Sequence, residues 1–168
     1  GSTYQLTSCP YVFGAFASRP GFPVLHFFAP REHCKLDRKL IHLIKLRASQ
    51  INGCAYCIVM HTQEALADGE PPHRLTLLDA WEESSLYTDK ERAVLRWVEE
   101  VTLISQTHAS TEAFEDLKAH FTTEEIGWLT LAGVLINAWN RIAISSRQEF
   151  PVKAFAPKTP AAEPAPAE

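Results

Sequence analysis

Cys54 and Cys57 stand three residues apart, and His61 follows four residues after the second cysteine. They share the run Ile-Asn-Gly-Cys-Ala-Tyr-Cys-Ile-Val-Met-His over 51–61. Asn52-Gly53 breaks one helical pattern just before the cysteines, and a second begins at them. Cys54 is therefore expected at a helix N-terminus, with Cys57 in the first turn and His61 one turn further on, on a shared face. Unpaired N–H groups and the positive end of the helix dipole favour an anion there. That lowers a thiol pKa from its free value of about 8.5, and the thiolate is the nucleophile. Helical i,i+3 Cα atoms lie about 5 to 5.5 Å apart, inside disulfide range, so the pair can close and reopen with little backbone movement. His61 can serve Cys57 as a proton acceptor, directly or through a water. The chemistry suggested is reversible dithiol–disulfide cycling with an attached base. The same residues allow a zinc site, if a fourth ligand joins them, or buried cysteines beside a hydrogen-bonded core histidine.

The elements that position this stretch read as helices. Asp37 is a plausible N-cap for a helix to Ile51, with Leu40, Ile41, Ile44, Ala48 and Ile51 as its apolar face and Arg38, Lys45 and Arg47 on the rest. His42 lies off the centre of that stripe. The cysteine helix runs to about Ala67, with Gly69 as its stop signal. Pro71-Pro72 starts a short helix through about Trp81. Thr88 with Glu91, and Thr122 with Glu125, are capping boxes. The first opens a helix to about Ser105 that buries Val94, Trp97, Val98, Val101 and Ile104. The second opens a long helix from Thr123 to about Ser145, apolar on more than one face and so central to a core or a subunit interface. Between them a helix follows Ser110 and buries Phe114, Leu117 and Phe121. No stretch alternates as a strand, and the expected fold is all-α with six or seven helices.

Residues 1–35 are rich in proline and aromatics and read as an irregular arm that packs on the body or on a neighbouring subunit; Cys9 and Cys34 there read as ordinary thiols. The helical domain spans 36–150, and 151–168 read as a flexible proline- and alanine-rich tail. The net charge of −4 gives no basic surface for nucleic acid. The longest nearly apolar run, Leu129 to Trp139, is too short to span a bilayer. Four cysteines without a dense framework, and no basic-then-apolar leader in view, point to a reducing cytoplasm.

Three blocks in order resemble one superfamily. They are Leu-Ile-X-Leu-Ile-X-Leu-Arg over 40–47 with the Ile-Asn-Gly-Cys-Ala-Tyr-Cys run and His61-Thr62, then Thr88 to Ala93, then Ile136 to Arg141. Over Leu36 to Ile144 the chain is similar to the carboxymuconolactone decarboxylase and alkylhydroperoxidase (AhpD-like) superfamily. The CxxC places the resemblance in the peroxidase-like branch, because the decarboxylase branch lacks it. The resemblance implies an oligomeric AhpD-like helical bundle, a hydroperoxide substrate, no bound cofactor and a thioredoxin-like or lipoyl dithiol reductant. It further implies that Cys57 attacks the peroxide, Cys54 resolves the sulfenic acid as a disulfide, and His61 belongs to a proton relay. The dipole alone favours Cys54 as the attacking thiol; the nearness of His61 favours Cys57.

One position departs from the family pattern. Twelve residues before the first cysteine, where the family's peroxidases carry a glutamate as relay base, this chain has His42. Histidine accepts a proton but supplies no fixed negative charge. The substitution also places two histidines and two cysteines together, which keeps a non-redox metal-binding module open beside a peroxidase and a general dithiol oxidoreductase or redox-sensing chaperone. Asn137, Asn140 and Arg141 could line the site or anchor neighbouring loops.

Overall fold

The computed structural model of the chain describes residues 36–150. The arm over 1–35, with Cys9, Cys34, His26 and His33, and the tail over 151–168 lie outside the described residues. Seven α-helices and no strand are found among those described: α1 Arg38–Ile51, α2 Ala55–Ala67, α3 Pro72–Thr76, α4 Asp89–Thr102, α5 Ile104–Thr107, α6 Thr111–Lys118 and α7 Thr123–Ser145. The all-α expectation holds.

Local chemistry sets the boundaries. Asp37 caps α1 by accepting the Lys39 N–H at 2.9 Å. Thr88 and Thr122 cap α4 and α7, with Glu91 and Glu125 returning the bond in complete capping boxes. The short helix after Pro71 becomes a tighter 3₁₀ turn over Leu77–Ala80 before Trp81 is buried. The helix expected to reach Ser105 stops at Thr102. Leu103 leaves helical geometry, and the Thr107 hydroxyl donates to the Glu100 carbonyl at 2.8 Å, pulling the chain into the separate turn of α5. That break rotates Ile104, expected in the core, out to solvent.

α1 is the axis of the bundle and packs against α2, α4 and α7. Leu40, Ile41, Ile44 and Ala48 join the larger core with Val94, Val98, Leu129 and Ile136. Leu43 and Leu46, on its other side, close a smaller core with Leu75, Leu78, Trp81 and Leu95. A helix buried on both sides leaves one strip for polar groups, and that strip faces α2. α7 buries Trp128, Leu129, Ala132, Ile136 and Ala143 inward, while Val134, Ile142 and Ile144 remain exposed on its outer side. No described helix is long and apolar enough to cross a membrane.

Candidate functional site

The dithiol is placed by the end of α1. Gly53 takes the left-handed conformation at φ +65°, which a side chain adopts only with strain. Its N–H donates to Gln50 O at 3.1 Å, and the Cys54 N–H reaches back to Ser49 O at 3.0 Å. These paired bonds close the helix and turn the chain back on itself. α2 begins at once, with Cys54 as its N-cap residue. α2 ends in the same way, with Gly69 at φ +81° and the Glu70 N–H on Ala65 O at 2.9 Å. The two helices therefore run antiparallel, so that the start of α1 meets the end of α2.

Cys54 and Cys57 are both buried, 1% and 0% exposed, and both are free thiols. The two thiols lie close enough to shift each other's ionisation. The bond from the Cys57 thiol is the main cause that lowers the Cys54 pKa from 9.0 to about 6. The backbone N–H groups of Cys57 and Tyr56 and the Asn140 amide help, although burial opposes them. Cys57 moves the other way, because its proton is held in the bond to Cys54 and burial disfavours a second charge. Of the two thiols, Cys54 at the helix end is therefore the more readily ionised. The cysteines themselves and Asn140 dominate both thiols, rather than His61.

Asn140 lies beside both thiols and is 0% exposed. Its Nδ2 donates to Ser49 Oγ at 3.0 Å, and its Oδ1 accepts from Asn52 Nδ2 at 2.9 Å. Asn52 also donates to Asn137 Oδ1 at 2.9 Å. α7 is thereby fastened to the α1–α2 junction directly beneath the thiols. Arg141 donates back to Asn137. Replacing Asn140 by alanine removes a donor from the thiolate and leaves Asn52 and Ser49 short of partners. Asn140→Ala should raise the Cys54 midpoint above pH 6 in a thiolate-absorbance titration. It should also lower unfolding free energy by about 1–3 kcal/mol in denaturant melts.

The histidines lie further along the α1–α2 seam. His61 is 4% exposed, and its Nδ1 pairs with Glu64 Oε2 at 2.8 Å. Burial lowers the His61 pKa against the opposing pull of that carboxylate, so the ring is neutral at pH 7. Nδ1 donating to Glu64 leaves Nε2 as the acceptor. Lys45, 8% exposed, stands 3.9 Å from the same carboxylate, and burial lowers its pKa while Glu64 raises it. Burial works against the Glu64 carboxylate, but the His61 bond and the Lys45 charge outweigh it. His42, 6% exposed, places Nε2 at 2.6 Å from Asp68 Oδ2, and Arg38 pairs with the same oxygen at 2.6 Å. His42 lies within electrostatic range of His61 and Glu64.

Of the four singled-out residues, the two cysteines touch. His42 and His61 lie in electrostatic range of each other but are each tied to a carboxylate. Sequence reasoning missed Ser49, Glu64 and Asp68, and read Lys45 as a surface charge. The signal was present: Arg38, His42, Lys45, Ser49 and Asn52 recur at alternating spacings of four and three, a polar stripe as regular as the apolar one beside it. Among the described residues, no group of three or more His, Cys, Asp or Glu side chains could hold a metal ion. His73, His108 and His120 lie on other elements, away from this seam.

The chain is similar to proteins with the same helices. The profile of the carboxymuconolactone decarboxylase family matches residues 24–100, which contain α1, α2 and both cysteines. YdfG of Bacillus subtilis (strain 168) is 40% identical over 110 residues, 66% of this chain and 75% of YdfG. The crystal structure of ATU0492 from Agrobacterium tumefaciens, proposed as an antioxidant defence protein AhpD, superimposes with a TM-score of 0.69 at 51% identity. That match covers 70% of this chain and 81% of ATU0492. A peroxidase-related protein from Silicibacter sp. TM1040 shares the fold at 22% identity and a TM-score of 0.62, over 71% of this chain and 62% of its own. The matched helices are those that build the dithiol seam, and the chain belongs to the carboxymuconolactone decarboxylase family within the AhpD-like superfamily.

Proposed function

We propose that the protein is a thiol-dependent peroxidase that reduces a hydroperoxide to an alcohol and water. The observation that carries this reading is the buried, free Cys54–Cys57 dithiol at a helix N-terminus, with two histidine–carboxylate pairs along the same helix seam. The Cys57 thiol passes its proton to the neighbouring Cys54 thiolate, and Cys57 sulfur attacks the distal peroxide oxygen. The S–O bond forms, the O–O bond breaks, and the proton goes to the leaving alkoxide. Sulfur loses two electrons and the peroxide gains them. Cys54, again a thiolate, then attacks the Cys57 sulfenic acid. The disulfide forms and hydroxide leaves, becoming water with a proton from solvent.

Assigning attack to Cys57 gives each thiol the pKa its step needs. A less acidic thiol is the stronger nucleophile once deprotonated, and a more acidic one is the better leaving group when the disulfide is reduced. An external thioredoxin-like or lipoyl dithiol completes the cycle, and no bound cofactor enters it. The outer side of α7, with Val134, Ile142 and Ile144 exposed, suits packing between copies in a homo-oligomer. A reducing cytoplasm suits a dithiol that must be returned to its thiol form.

One observation favours a second reading. An acidic thiol at a helix N-terminus also suits attack on a protein disulfide, the work of a general dithiol oxidoreductase or redox-sensing chaperone. Purified reduced protein given either a hydroperoxide or a disulfide-bonded protein separates the two. The peroxidase reading requires faster oxidation by the hydroperoxide; faster oxidation by the protein disulfide replaces it with the second.

A further inference from the structure

His42 has one nitrogen at the rim and one in the interior. Nε2 meets Asp68, whose side chain is 25% exposed, while Nδ1 is buried and has no hydrogen-bond partner among the described residues. A buried, unpaired ring nitrogen is costly unless something uses it. The tautomer of the neutral ring follows from its other end. A carboxylate can only accept, so Nε2 carries the hydrogen and the neutral ring presents a bare lone pair at Nδ1. We propose that Asp68 is a positioning residue that fixes this tautomer of His42 and so makes its buried Nδ1 a proton acceptor for the dithiol site. This rests on the peroxidase reading.

The placement of Asp68 supports the role. It is the C-cap residue of α2, set by the Gly69 turn, and Arg38 holds the same carboxylate oxygen from α1. The bond from His42 and the Arg38 charge keep the Asp68 pKa below the ordinary carboxylate value, so it remains an acceptor at working pH. The charged and titratable groups facing His42 along the seam are Arg38 and Lys45 from α1, with His61, Glu64 and Asp68 from α2. His61 is held by Glu64 in the same manner, which gives the seam two carboxylate–histidine couples. In the peroxide step the proton that the attacking thiol hands to Cys54 can pass on to Nδ1 of His42. It then returns to the leaving alkoxide, so no net proton is gained or lost.

Asp68→Asn tests this because an amide can donate to Nε2, which moves the ring hydrogen to Nδ1 and removes the acceptor. Single-turnover oxidation by hydrogen peroxide and the imidazole nitrogen NMR signals of His42 are measured together. The expected result is an Nε2–H ring in the wild type and an Nδ1–H ring in Asp68→Asn. The variant's peroxide step should be slowed roughly ten- to a hundredfold, at or below the low end of the general-base range because His42 remains. Asp68→Glu keeps a carboxylate and should restore the wild-type tautomer and most of the rate. A wild-type Nδ1–H ring, an unchanged tautomer in Asp68→Asn, or a switched tautomer at the wild-type rate each overturns the proposal. If wild-type protein does not react with peroxide, the peroxidase reading fails, and the nitrogen spectra alone decide whether Asp68 sets the ring.

Discussion

Cys57→Ser is expected to abolish peroxide consumption. A serine hydroxyl at this position has no accessible anion, although it can still donate a hydrogen bond to Cys54. Cys54→Ser should behave differently. Cys57 then retains a peroxide-reactive sulfur but has no partner, so one turnover leaves a sulfenic acid that a trapping reagent captures. Mass spectrometry of the trapped peptide distinguishes the roles. Label on Cys57 in the Cys54→Ser protein agrees with the proposed order. Label on Cys54 in the Cys57→Ser protein, formed at the wild-type rate, reverses it.

His42→Ala is expected to slow the peroxide step by roughly ten- to a thousandfold, overlapping the usual contribution of a positioned base. The side chain sits in the seam without supporting either hydrophobic core. Its rim partner Asp68 keeps Arg38, so the fold should survive. His42→Glu restores the family's carboxylate and should retain activity. It adds negative charge near the dithiol, which should move ionisation of the pair to higher pH. Stopped-flow thiol oxidation across a pH series compares wild type with both variants. Identical profiles for wild type and His42→Ala would leave His61 and Glu64 as a sufficient relay.

The parts of this protein governed by local rules could be read from the sequence. Asp37, Thr88 and Thr122 cap the helices they were expected to cap, and Gly53 and Gly69 end the helices they were expected to end. The turn at Gly53 delivers Cys54 to a helix start, so the dithiol could also be read locally. The seam could not. Lys45 reads as a solvated charge on α1 because charged side chains are rarely buried. It is buried because α2 folds back and brings Glu64 over it, a pairing made by tertiary contact. His61 was expected beside Cys57 on spacing alone, yet its ring turns to Glu64 three residues on. The direction of a side chain within a helix face depends on partners that spacing does not specify. The break at Leu103 was missed for a similar reason, since the Thr107 hydroxyl that stabilises it lies beyond the helix it ends.

The most direct test of the account is peroxide titration of the fully reduced wild-type protein, followed by intact and peptide mass spectrometry. One equivalent of hydroperoxide is expected to remove two thiols, with loss of two hydrogens and a disulfide located between Cys54 and Cys57. Survival of both thiols under equimolar peroxide, with the same pair closing readily on a protein disulfide, would contradict it.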